Sequence, residues 1–150
     1  MRKTTQAPRL NAKQIQTAVF KRLVKYKKLN FFEQFAMYMG MAQLHELQLK
    51  RLLVSQFNFK FEDLDRWTMG RAARELKDKG LRQDYIQLLE PVVRSRNHIA
   101  HELLANELML ASILNGKTGR LNRKELELGI YELEQIMFLH EWTEKHGLWG

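Results

Sequence analysis

The chain has 150 residues, 45% hydrophobic and 28% charged, enough for one domain with a real core and too apolar for wholesale disorder. It contains no cysteine, which excludes disulfides, thiol nucleophiles and thiolate zinc sites. The net charge of +8 is lopsided: nine bases precede the first acid, Glu33, while the other 16 face 17 acids.

The start of the chain, about residues 1–10, therefore reads as a basic arm, either solvated or turned toward a polyanion. Met1-Arg2-Lys3 leads into polar sequence instead of a signal peptide's apolar stretch. No apolar run approaches the roughly 18 residues of a membrane span. The expectation is a cytoplasmic chain with no membrane partner.

A first helix is predicted from about Asn11 to Lys28, with Ile15, Ala18, Val19, Leu23 and Tyr26 facing inward. Asn30 is placed to cap a second, from Phe31 to about Phe57, whose apolar positions include Phe35, Tyr38, Met39, Ala42, Leu49, Leu52 and Leu53. Phe57, Phe59 and Phe61 alternate with polar residues and read as a short extended crossing. Thr68 caps a short third helix that ends near Lys79, with Gly80 as a left-handed stop.

A fourth helix is predicted from Arg82 to Leu114, ending at the turn signal Asn115-Gly116. Asn122 with Glu125 three residues on resembles a capping box for a fifth, running to His146 and stopping at Gly147. Both prolines, Pro8 and Pro91, are placed near helix starts. No pair of strands remains, so the fold class is all-α: a single domain over 1–150, a bundle of four or five helices.

Metal chemistry finds little support. His45-Glu46, His101-Glu102 and His140-Glu141 lack the second histidine of a zinc protease helix, holding Leu49, Ala105 and Glu144 in its place. No glutamate stands three residues before a histidine, as di-iron bundles require. No metal and no cofactor is expected. Gly70-Arg71 and Gly116-Lys117 lack the spacing of a phosphate loop, and Glu33 and Glu46 read as ion-paired or solvated.

The strongest signal is Arg96-Asn97-His98-Ile99-Ala100-His101. At about 100° per residue, the mean direction of Leu88, Leu89, Val92, Val93, Ile99, Ala100, Leu103 and Leu104 lies nearly on Arg96, with Asn97 and His101 together on one flank. A guanidinium keeps its proton and is costly to bury unpaired. Either it forms a structural ion pair, with an interior acid such as Glu46, or it binds phosphate. Arg94 lies on the flank of His101 and is a candidate for phosphate contact, as is His98 beside it.

This hexapeptide resembles the hallmark of the HEPN superfamily, an Arg, four to six residues and a His, with a polar residue directly after the Arg. Thr68-Met69-Gly70-Arg71 is similar to the start of the short helix that precedes the motif helix in several HEPN groups. The resemblance implies a metal-independent endoribonuclease acting at a composite site between two copies of the chain, in a toxin or phage-defence setting. Arg96 would bind the scissile phosphate, Asn97 orient it and His101 act in acid–base catalysis, with RNA as substrate, a homodimer as the working form, and a cognate antitoxin or other regulatory partner. Position 103 holds Leu where nucleotide-modified members carry Tyr, so control by that modification is not expected. The alternative is a HEPN-like module without activity that binds RNA, a nucleotide or a protein partner. Phe138, Trp142, Leu148 and Trp149 read as core packing or as apolar contact area between copies.

Overall fold

The computed structural model describes residues 9–103, 105 and 120–150. Five helices carry the fold: α1 (Ala12–Leu23), α2 (Phe31–Phe57), α3 (Met69–Asp78), α4 (Gln83–His98) and α5 (Arg120–His146). Among the described residues there is no strand, and the architecture is an all-α bundle. The long α5 packs against α1, α2 and α4, while the short α3 closes the other side against α2 and α4.

Local chemistry explains most boundaries. Asn11 and Gln14 form a reciprocal capping box at the start of α1, with bonds of 3.0 and 2.8 Å, and Asn30 and Glu33 do the same for α2. Glu33 is thus an exposed cap. The Thr68 hydroxyl accepts from the Arg71 N–H to start α3. Gly80, at φ +82°, reverses the chain after it, and the Leu81 N–H returns to the Leu76 carbonyl. Gly147, at φ +62°, ends α5.

Several boundaries differ from expectation. Helix α1 stops at Leu23 and tightens into a 3₁₀ turn over Val24–Tyr26, which brings Tyr26 into the core. The crossing after α2 is not extended: Asn58, at φ +62°, caps α2 in the left-handed region, and a 3₁₀ turn follows over Phe61–Leu64. With no neighbouring strand to pair, the backbone satisfies itself locally instead. Pro91 lies in the middle of α4, not near its start. Asn122 lies inside α5, which begins at Arg120, so it is no cap. The Asn115-Gly116 turn, the end at Leu114, Leu104 and Pro8 lie outside the described residues.

The core is one contiguous cluster centred on Tyr38, Leu49, Leu53, Leu76, Leu89, Leu126 and Leu133. Two polar features sit inside it. Glu134 of α5 is fully buried and takes Arg22 Nε at 2.7 Å, the Tyr26 hydroxyl at 3.0 Å and the Lys25 ammonium, tying α1 to α5. At the other end, His140 bonds the Tyr85 hydroxyl at 3.0 Å and packs against Trp149 and edge-on to His45. Trp149 is therefore core, whereas Trp142 lines an open cleft.

Candidate nucleic-acid interface

Helix α4 presents Tyr85, Leu89, Val92, Arg96, Ile99 and Leu103 at alternating steps of four and three, the seam of a packed helix. All but Arg96 are buried. Arg96 occupies a core-facing slot and is only half-buried, its aliphatic stem covering the seam while the guanidinium reaches its edge. Beneath it, Tyr38 is fully buried and its hydroxyl has no hydrogen-bond partner among the described residues. Burial pushes that hydroxyl well above the ordinary phenol range, the charge of Glu132 adds to the rise and that of Arg96 opposes it.

No ion pair to Glu46 forms, so the structural pairing weighed for Arg96 is not what holds it. Among the described residues no carboxylate lies within ion-pair distance of Arg96. Its Nη1 instead donates a long, 3.4 Å hydrogen bond to Oδ1 of Asn97, which is exposed. Neighbouring Ser95 turns inward and donates to Glu132 of α5 at 2.8 Å.

After His98 the helix widens. Ile99–Leu103 form a single π-helical segment, a turn closed by i→i+5 bonds. Each residue of such a turn advances by less than the α-helical angle, so His101 is swung back toward the direction of Asn97. His101 is exposed. The wide turn is anchored by a glycine: a Cβ on Gly129 of α5 would stand 2.4 Å from Ile99 Cδ1 and 3.6 Å from Tyr38 Cε2. The bare backbone at Gly129 gives the Ile99 methyl the space that a side chain there would take.

His98 has a different setting from His101. Its Nδ1 meets Glu102 at 3.0 Å and its Nε2 meets Glu125 of α5 at 2.8 Å. Both bonds need the doubly protonated ring, and the hydrogen bond to Glu125 raises the His98 pKa above its ordinary value against the opposing effect of desolvation. His98 thus clamps the wide turn to α5.

Arg94 is exposed one turn earlier, on the side of α3. His45 and His140 meet edge-on in the core with ring centroids 5.9 Å apart, while His101 is exposed on the surface, and among the described residues no group of three or more metal-ligating side chains is assembled.

What the arrangement offers chemically is a guanidinium, a carboxamide and one exposed imidazole on adjoining faces of α4. No family model, curated protein or solved structure matches this chain. The functional reading therefore rests on these side chains. Sequence reasoning missed Gly129, Tyr38 as a polar group, and the Glu125 clamp. Only the first carried a local signal, a lone glycine inside a helical pattern.

Among the described residues no helix is long and apolar enough to cross a membrane.

Proposed function

We propose that the chain is an RNA-cleaving domain of HEPN type, working as a homodimer. The observation that carries this reading is the surface formed by Arg96, Asn97 and His101: a core-facing guanidinium that reaches the solvent edge beside an exposed carboxamide, with an exposed imidazole brought round by the π-helical turn.

RNA carries its own nucleophile. The 2′-oxygen attacks phosphorus while the bond to the 5′-oxygen breaks, leaving a 2′,3′-cyclic phosphate and a 5′-hydroxyl. The protein must take one proton, give another and stabilise the extra negative charge. Arg96 suits the charge, since its planar fork donates to two phosphate oxygens at once. Asn97 holds that fork and can donate to a third oxygen. Of the two imidazoles here His98 is held by two carboxylates, which leaves His101 for chemistry, whereas the reaction uses both a base and an acid. A second copy would supply the other. The N-terminal excess of bases gives the field that gathers a polyanion.

The test is cleavage of total RNA by purified protein with excess EDTA. Wild type should cut and His101→Ala should not, with the cut ends carrying cyclic phosphate. RNA retained in a gel shift but left intact by the wild type would replace catalysis with binding alone. Light scattering should give a dimer at micromolar concentration; a strict monomer counts against the composite site. Whether a cognate antitoxin restrains the activity is a matter for co-purification from the native host.

A further inference from the structure

Between α3 and α4 runs a cleft of about 270 Å³. Its floor is apolar, made by Ala73, Ile86, Leu89 and Val93. Its rim is cationic: Arg74 of α3 and Arg94 of α4 are both exposed and, among the described residues, neither has an ion-pair partner. The remaining rim charges, Lys77 and Glu90, pair with each other at 2.9 Å, so the net positive charge comes from the two arginines. Gly70 leaves one wall low, since a Cβ there would touch only Val93 Cγ1 at 3.4 Å and Thr68 Oγ1 at 3.9 Å.

The position of this cleft gives it meaning. Along α4, Glu90, Arg94, Asn97 and His101 follow one another at steps of four, three and four, a single strip on one flank of the helix. Arg94 and His101 are seven residues apart, about 10 Å along the axis at the α-helical rise. A strand that touches His101 in the wide turn and runs back along this flank of α4 reaches Arg94 at the rim of the cleft.

We propose that the α3–α4 cleft is a subsite for single-stranded RNA, taking one unpaired base from a nucleotide neighbouring the cleaved bond onto its apolar floor while Arg74 and Arg94 hold the flanking phosphates. The argument for this occupant is complementarity of both kinds. A base offers a flat apolar face and its backbone offers negative charge on either side, and unstacked single strands present the two together. A duplex keeps its bases stacked and cannot fill the floor. This inference rests on the RNA reading above, and it assigns part of the affinity to two residues outside the hexapeptide, Arg74 and Arg94.

The experiment measures fluorescence anisotropy of a short labelled single-stranded RNA whose riboses are 2′-O-methylated, so that binding is read without cleavage. Arg74→Glu and Arg94→Glu should each weaken binding about tenfold and lower its salt dependence. Gly70→Leu, which fills the floor and leaves the charge alone, should weaken binding of the intact RNA but not of the same strand with abasic positions. Unchanged binding in both charge reversals overturns the subsite, and so does an equal loss for intact and abasic strands in Gly70→Leu. An acidic peptide that displaces the RNA at lower concentration than RNA itself would assign the cleft to a protein partner and overturn the proposal. The two readings fail separately. If RNA is bound through Arg74 and Arg94 but never cut, catalysis falls and the cleft stands; if RNA is cut with unaltered KM in both charge reversals, the cleft falls and catalysis stands.

Discussion

Ile99 Cδ1 occupies the space a side chain at Gly129 would need: a Cβ on the glycine would lie 2.4 Å from it, so one of the two would have to move. Ile99 is also the first residue of the wide turn that carries His101. Gly129→Ala should therefore lower the melting temperature, because an overpacked core costs about 1–3 kcal/mol, more than the roughly 1 kcal/mol that alanine gains over glycine in a helix. Ile99→Val removes the clashing methyl, so the double variant should recover most of the loss. Thermal unfolding of the four proteins in this cycle checks it; simple additivity would refute the contact.

The pH dependence of stability follows from two buried histidines. Desolvation lowers both His45 and His140 to about 4 in the folded chain, against about 6.5 when unfolded. The unfolded state then binds more protons, so their contribution is complete above pH 6.5 and drains away as pH falls toward 4. Each adds a slope of about 1.4 kcal/mol per pH unit. His98 runs the other way: its raised pKa gives stability that is present below pH 6.5 and lost as pH rises through the folded value. Urea unfolding between pH 6.5 and 5 should show stability falling with acid, and His45→Phe should flatten the fall.

Burial decides which carboxylate matters. Glu134 is completely enclosed with Arg22, Lys25 and Tyr26 around it, and Glu134→Ala takes this partner from Lys25 and the Tyr26 hydroxyl and leaves Arg22 with the more exposed Glu141 alone. A loss of about 1–3 kcal/mol is expected, the range for hydrogen bonds to charged groups and an orphaned buried hydroxyl. Glu90, which pairs with exposed Lys77, should be replaceable by alanine with no measurable change. Chemical denaturation of both variants makes the comparison.

Arg96 occupies a seam position that a leucine would fill better. Arg96→Leu should raise the melting temperature while abolishing RNA cleavage, the signature of a residue kept for function at the expense of packing. A drop in melting temperature would mean that the guanidinium is structurally required after all.

Much of this layout was legible because its causes are local. Asn30 and Glu33 stand three apart and bound α2; Thr68 and Gly80 bracket α3; the four-three spacing of α4 puts Arg96 on the seam. The misreadings have a common cause in packing between distant segments. Pro91 looked like a helix start, yet the buried faces on either side carry α4 through it. The second nitrogen of His98 meets Glu125, 27 residues away, a partner that local spacing does not announce. Nothing in Ile99-Ala100-His101-Glu102-Leu103 announces a wide turn, nor that its first residue packs against Gly129 on another helix. Arg74 joins Arg94 only once α3 lies against α4.

The chain's end offers a practical return. Arg82 grips the Leu148 carbonyl at 2.8 Å, and Trp149 Nε1 donates to Glu144 at 2.6 Å while its ring lies against Tyr85 and His140. Of the three tryptophans only Trp149 is buried, Trp67 and Trp142 being partly exposed. Its emission is a label-free optical gauge of whether the last four residues are seated, readable in a cuvette alongside every variant described above.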